Sequence, residues 1–440
     1  MFVARLRLVN FRSYHDATVE FASGLNVIVG RNASGKTNLL EGAFFALRAA
    51  SPRTTKEEKA VRWGAAFARA EATVGRGGDE GSHTLTVAYA PGQGKQVRID
   101  GVEVASLDDL RRQGSVFIFV PESLLLVKGS PARRRAHLDA FAAALDPAYE
   151  AGLRDLNVVL KQRNAQLWRV REGAPADSLD AWDRQLARVA LPFEARRRVL
   201  VARLAARYGE FAAALAPDGG EFSLSLVSQL DGLSSALAGA AGAAGAAGAA
   251  GAAKAAEAAE AGPTAATGGA VTGPEGAGVT EEAFVGALRA RRSGEIGRAV
   301  SGFGPHRDDL RFAEVTTPPP HDDSGAGPRD LRLFGSQGEQ RAAVLALLLA
   351  ERAVAADTTG DVGALLLDDV MSELDDSRRR LLVGALTAGG QAIVTTTNRL
   401  YFTDDELARA RVIDIGPGEP GGDQAPGDQA GVGEASDADG

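Results

Sequence analysis

An α/β protein, with a mixed sheet in its first lobe and a separate α-helical second lobe, is the fold this sequence predicts. Three observations predict it. A short apolar run, Leu25 to Val29, leads into a glycine-bearing loop and then a helical pattern from Asn38 to Ala50, the strand–loop–helix order of an α/β core. A second apolar run, Ala364 to Leu367, ends in two carboxylates and is followed by further helix and strand patterns. Between the two, residues from about Pro131 to Leu215 read as helix rich in Arg, Ala and Leu.

The elements follow in order. Phe2, Ala4, Leu6 and Leu8, then Ala17, Val19 and Phe21, alternate as half-buried strands do, and Gly24 marks a turn. Residues 83–90 and 95–104 read as strands, with Asp100-Gly101 as a turn, and Val116–Val120 is a buried strand stopped by Pro121. The helical segment is expected to break near Pro147, Gly173–Pro175 and Pro192, because proline lacks the N–H that a helix interior uses. Helix is expected again near Glu281, from Gly335 to Ala356 and from Ser377 to Ala388, with a strand at Ala392–Thr395. Glycine recurs every third residue from 239 to 251 without proline, which excludes collagen. With almost no bulky apolar side chain, residues of about 236–280 are expected to form a flexible insertion. Thr316–Pro328 reads as a second loop insertion and 417–440 as a disordered acidic tail. The expected domains are 1–130 and 301–416, two parts of one α/β lobe, and the helical lobe, 131–300.

Hydrophobic residues make up 45% of the 440, enough for large cores, and there is no cysteine, which excludes disulfides and thiolate metal sites. The five histidines are scattered without ligand spacing. No signal-peptide pattern or membrane-spanning run is seen, so a cytoplasmic protein is expected. The net charge of −8 is unevenly spread: residues 128–210 hold sixteen Lys/Arg against ten Asp/Glu, whereas 417–440 hold six acids and no base.

Gly30-Arg31-Asn32-Ala33-Ser34-Gly35-Lys36-Thr37 has the GxxxxGK[ST] spacing. The glycines let backbone N–H groups turn around phosphates, Lys36 places a charge on the β- and γ-phosphates, and the Thr37 hydroxyl reaches Mg²⁺. Asn38 opens the helix whose N-terminus favours an anion. Asp368, at the end of the second apolar run, suits Mg²⁺, and Asp369 beside it is placed to polarise water. These residues predict a nucleoside triphosphate, ATP or GTP, with Mg²⁺.

Gly335-Ser336-Gln337-Gly338-Glu339-Gln340-Arg341 opens a helix; by itself it reads as an ordinary polar cap. Phosphate loop, Ser-x-Gly motif and acidic strand, with Ser372-Glu-Leu-Asp375 after it, are similar in order to ABC ATPases. Lys36 and Ser336 lie 300 residues apart, too far for the compact ATPase of a transporter, and the stretch between them has no sustained heptads. The strings Leu8–Tyr14, Gly30–Glu41, Ser51–Thr54, Phe119–Glu122, Leu126–Gly129, Gln162–Asn164, Gly304–Leu310, Ser336–Arg341, Leu366–Asp375 and Thr395–Thr397 resemble RecF, a family of bacterial recombination-mediator ATPases. The resemblance runs from about residue 1 to 415. Ala33 departs from it, standing where that family has glycine, and the insertion and tail lie outside its pattern.

The resemblance implies an ABC-type head that dimerises around two ATP molecules, with Ser336 and Gly338 capping the γ-phosphate held by the twin subunit. It implies that Asp375 bridges the two sites and that Thr396, or a neighbouring Thr, occupies the place of the usual switch histidine. With Asp369 in place of a longer Glu, slow hydrolysis is expected. It also implies DNA at single-strand gaps and duplex junctions as ligand, and RecR, RecO and RecA as partners. The basic helical lobe offers Arg133, Arg134, Arg135, Lys161, Arg163, Arg196, Arg197 and Arg198 for phosphate contact, with Arg289, Arg291 and Arg292 near its root. Arg307, beside Asp308 and Asp309, reads equally as a structural ion pair or a nucleotide sensor. An ATPase subunit of another machine, a transporter or a nuclease, is the alternative.

Overall fold

A computed structural model describes residues 1–75, 81–104, 106–216, 221–233, 279–315, 328–387 and 389–416. The expected insertion, most of the loop at 316–328 and the acidic tail lie outside the described residues. The chain divides into two compact units: Met1–Ser123 with the segment from Ala355 onward, and Leu124–Val354.

The first unit holds two sheets, between which the expected mixture of strand directions is divided. One is antiparallel: β1 (Phe2–Phe11), β2 (Tyr14–Glu20), β4 (Ala68–Gly75), β5 (His83–Ala90), β6 (Gly94–Ile99) and β7 (Val102–Glu103), in the order β2-β1-β4-β5-β6-β7. The other is parallel: β3 (Leu25–Gly30), β8 (Val116–Phe119), β12 (Ala364–Leu367), β13 (Ala392–Thr396) and β14 (Arg411–Ile415), in the order β14-β3-β13-β12-β8. The helix Lys36–Arg48 is buried on most of its surface because both sheets cover it. Leu39, Leu40 and Phe45 share one core with Leu6 and Leu8 of β1 and with Ile28 and Ile393 of the parallel sheet. Gly42 permits this close approach, since a Cβ there would lie 2.6 Å from the Leu8 side chain.

The second unit carries the helices Pro131–Leu145, Pro147–Arg171, Asp180–Leu215 and Glu281–Arg298, most of the helix Gln337–Thr359, and a small sheet, β11 (Arg329–Asp330), β10 (Asp309–Val315) and β9 (Glu221–Val227). The breaks at Pro147 and Gly173–Pro175 are present, but the expected break at Pro192 is not: Asp180–Leu215 is one helix with Pro192 inside it. Pro192 is exposed while Ala190 and Phe193 are buried. Arg188, whose carbonyl the proline leaves unpaired, is itself exposed, and packing continues on both sides of Pro192. The unit boundaries at 123/124 and 354/355 differ from those read at 130/131 and 300/301. Residues 309–315 pair antiparallel with 221–227, which draws the segment after 300 into the second unit.

Candidate functional site

The parallel sheet places the phosphate-loop motif and the acidic strand side by side. β3 pairs with β13, and β13 with β12, all in parallel register, so their C-terminal ends lie together, where α/β sheets put their ligands. Lys36 is buried, and its Nζ donates to the Gly30 carbonyl at 2.7 Å and the Arg31 carbonyl at 2.9 Å. Burial pushes its ammonium below the ordinary value, against the pull of Asp369 and Asp368. Thr37 Oγ1 donates to Asp368 Oδ2 at 2.7 Å, and Thr395 Oγ1 donates to Asp368 Oδ1 at 2.7 Å. The Asp369 N–H donates to Thr395 Oγ1 at 3.0 Å, and Asp369 takes a left-handed φ of 47°. Thr395 therefore fixes the Asp368 carboxylate and the Asp369 backbone, whereas the hydroxyl of Thr396, the favoured sensor position, is engaged in a turn with the Asn398 backbone.

The loop fits a triphosphate. A Cβ on Gly30 would lie 2.6 Å from Ser34 Oγ, and one on Gly35, at φ 102°, would lie 2.8 Å from the Tyr14 hydroxyl. Ser34 Oγ is buried without a hydrogen-bond partner, and no side chain caps the helix that starts at Lys36; its first N–H groups are those an anion satisfies. Arg31, Asn32 and Ala33 form the exposed crest. Ala33 holds φ 65°, a left-handed conformation that costs an alanine about 1 kcal/mol or more. Ala33→Gly is expected to raise stability by roughly 0.5–1 kcal/mol, the relief exceeding the extra entropy of an unfolded glycine; urea unfolding of the nucleotide-free protein measures it. Thr37 and Asp368 offer hard oxygens, which suit Mg²⁺. No cluster of three or more His, Cys, Asp or Glu suited to a metal occurs among the described residues, so such an ion would rely on water and phosphate for its remaining ligands.

Sequence reasoning assigned no role to Glu41, which is fully buried one turn into the same helix. It accepts hydrogen bonds from Arg12 Nε and Nη2 at 3.0 and 2.6 Å, from Arg53 Nη1 at 3.2 Å and from Ser51 at 2.6 Å. Asn38 joins the cluster through Ser13 and Arg53. Asp375 caps the helix Asp376–Thr387, accepting from the Arg378 N–H at 2.9 Å and from Ser377 Oγ at 2.6 Å.

In the second unit, Ser336 and Glu339 cap one another: the Ser336 N–H donates to Glu339 Oε2 at 2.6 Å and the Glu339 N–H to Ser336 Oγ at 3.2 Å. Burial opposes ionisation of Glu339, but hydrogen bonds from the Ser336 N–H and Arg329 hold its carboxyl below the usual range. At Gly338 a Cβ would meet nothing closer than Ser336 Oγ at 3.9 Å, so packing within the unit does not demand glycine there.

Three of the arginines expected at a DNA surface are corrected by their burial. Arg134 is held by both Asp309 oxygens at 2.7 and 2.8 Å and by the Val127 and Gly129 carbonyls. Arg163 is bonded to Asp183, Glu295 and Ser301, and Arg197 to Tyr149, Asp139, Asp308 and the Pro305 carbonyl. None of the three presents its guanidinium to solvent. Arg135 donates to the Asp308 carbonyl, Arg196 pairs with Asp146, and Arg198 with Glu194 and Asp231. Arg133 and Lys161 are exposed. Arg289 and Arg292 pair with Asp180, and Arg291 stacks on Phe303. Arg307 forms no ion pair with its acidic neighbours; its guanidinium donates to the Ser301 carbonyl.

Against known proteins, residues 2–412 match the family model described as the RecF/RecN/SMC N-terminal domain. The DNA replication and repair protein RecF of Heliobacterium modesticaldum is 32% identical over 422 residues, 95% of this chain and 98% of that protein. RecF of Halalkalibacterium halodurans is 32% identical over 419 residues, 95% of this chain and 98% of that protein. A solved structure described as the recombination mediator protein RecF-ATP in the RecFOR pathway superposes with a TM-score of 0.70 at 24% identity, covering 95% of this chain and 96% of that one. That likeness shows a shared α/β fold. Among the described residues, no helix is long and apolar enough to cross a membrane.

Proposed function

The chain belongs to the RecF family of DNA replication and repair proteins, and from that premise we propose that it is an ATP-gated DNA clamp that acts with RecR and RecO and helps load RecA at gaps. The link of Thr37 and Thr395 to the two oxygens of Asp368 carries the reading: it joins the phosphate loop to the acidic strand through hard oxygens with a buried ammonium beside them. Lys36 binds and orients the β- and γ-phosphates. Thr37 and Asp368 would hold Mg²⁺, which when bound neutralises charge on those phosphates. Asp369, set by Thr395, orients the attacking water. Ser336 and Gly338, at a helix start without bulk, complete the site of a second copy, and their engagement closes the dimer on DNA. Asp375 lies at the joint between the two sites, and Thr396 is the proposed γ-phosphate sensor. Arg133, Lys161, Arg196 and Arg198 remain candidates for sequence-independent phosphate contact. Turnover is expected below about 10 s⁻¹, the median of ordinary enzymes, as suits a reset step in a nucleoid-associated cytoplasmic switch.

Sedimentation of the full chain tests this. With Mg-ATP the parent is expected to dimerise and to shift gapped duplex DNA. Ser336→Arg should keep nucleotide affinity, yet lose dimer and DNA shift by at least about tenfold, since a long cation replaces the hydroxyl at the proposed seam. A parent that stays monomeric at saturating Mg-ATP with gapped DNA present, or a variant that dimerises as the parent does, overturns the reading.

A further inference from the structure

Trp63 is 98% exposed, the highest value among the large exposed apolar side chains of the described residues. Its loop is nonetheless tied down. The Arg12 N–H donates to the Ala60 carbonyl and the Arg62 N–H to the Asn10 carbonyl, each at 2.8 Å, and Ala65 N–H closes a turn on the Arg62 carbonyl at 2.9 Å. Phe11 and Val61 form an isolated bridge, and Gly64 takes the left-handed φ of 80° that the turn requires. A tryptophan solvated on a tethered turn forgoes about 2 kcal/mol or more of burial and is not explained by the packing of its own unit.

The surroundings point to the occupant. Lys56 and Lys59 are exposed, and Arg62 and Arg69 half-buried, with no ion pair to a carboxylate among the described residues. Of the two acids in that segment, Glu57 is already paired with Lys95, which leaves Glu58 against Lys56, Lys59 and Arg62, while Arg69 also acts on Asp16 across the sheet. Arg69 sits opposite Val9 in the sheet, one residue from the Asn10 that holds Arg62. A solvated π-face on a fixed turn, in a segment that also carries Lys56, Lys59 and Arg62 without carboxylate partners among the described residues, is the combination that takes an unstacked nucleobase and its flanking phosphates.

We propose that Trp63 is a stacking platform for a base of single-stranded DNA, with Lys56, Lys59, Arg62 and Arg69 holding the adjoining phosphates. The site rests on the DNA-binding reading above and specifies which form of DNA the first unit takes. The turn is also joined to the nucleotide loop: Arg12, whose N–H anchors Ala60, grips Glu41 in the helix that follows Lys36.

The test uses the full chain with Mg-ATP, a gapped duplex, the same duplex with the gap filled, and an oligothymidylate. Trp63→Ala is expected to weaken binding of gapped DNA and oligothymidylate by roughly five- to a hundredfold, the loss of one stacked base, and to leave the filled duplex within about twofold. Trp63→Phe should restore most of the affinity. In a Trp168→Phe/Trp182→Phe background, which leaves Trp63 as the only indole, oligothymidylate should quench the fluorescence. If the parent binds gapped DNA and Trp63→Ala binds it equally well at the same salt, the platform is overturned and the clamp stands. If the parent binds no DNA at all, both fall. If Trp63→Ala instead abolishes ATP-driven dimerisation without DNA, the ring is a protein contact and the proposal is wrong.

Discussion

Arg163→Ala is expected to destabilise the protein by about 3–5 kcal/mol, the cost of leaving buried charges without their partner. Arg163 is fully buried, and its Nε donates to Asp183 at 2.8 Å, Nη1 to Ser301 Oγ at 2.7 Å and Nη2 to Glu295 at 2.7 Å. Each partner is further tied: Asp183 to Arg292, Glu295 to the Gly302 N–H, and Ser301 to Asn164. Alanine would leave Asp183 and Glu295, both fully buried, short of a cation. Denaturant unfolding reads the loss. A DNA contact at Arg163 predicts the opposite pattern, unchanged stability with weakened, salt-sensitive DNA binding. Under conditions where the variant is folded, its DNA affinity should match the parent's.

The second large effect concerns pH. His306, half-buried, and Asp308, buried, lie in one turn, with His306 bonded through Nε2 to the Ser301 carbonyl and Asp308 accepting from Arg197. Burial pushes the His306 imidazole down to about 4, and burial pushes the Asp308 carboxyl up to about 6 against the pull of Arg197 and Ser228. For Asp308 the folded value lies above its ordinary 3.8, so its contribution is present below that pH and is lost as pH rises through about 6. For His306 the folded value lies below its ordinary 6.5, so its contribution is present above that pH and is lost as pH falls through about 4. Each shift is worth about 3 kcal/mol, with opposite sign over nearly the same window. The parent's stability should therefore be nearly flat from this pair between pH 4 and 6.5. His306→Gln should expose the Asp308 limb, with stability falling by about 3 kcal/mol as pH rises across the window. Asp308→Asn should expose the His306 limb, with stability rising. Urea midpoints at half-unit pH steps measure both, and identical profiles for the two variants would contradict the assignment.

The sequence by itself determined the strand–loop–helix core and the phosphate site, because these are local. Leu25–Gly30, Lys36–Arg48 and Ala364–Leu367 form where the apolar pattern puts them, and the GxxxxGK[ST] spacing fixes the backbone a phosphate needs. Thr37 and Asp368 were legible for the same reason, one opening the helix after a parallel strand and the other following the end of one, whereas the second hydrogen bond to Asp368 comes from Thr395 and not from the favoured Thr396. Legibility ended where an outcome depends on partners far along the chain. β9 and β10 went unread because each is a short alternating segment whose pairing joins residues 221–227 to 309–315. β4 alternates alanine with polar residues, too weak a hydrophobic signal to mark a strand. Pro192 signals a break in sequence because its local cost is visible there and the packing that offsets it is not.

The arginines show the same division most sharply. Arg163 and Lys161 sit two positions apart on one helix, equally basic in sequence, yet one is fully buried and the other exposed. Helical periodicity separates their faces. Only the tertiary structure decides that the inward face meets Asp183, Glu295 and Ser301, which supply the opposite charge and hydrogen bonds without which a buried guanidinium is prohibitively costly. A count of positive residues therefore predicted a basic lobe, while the long-range pairing of carboxylates decided which of those charges are left for a polyanion.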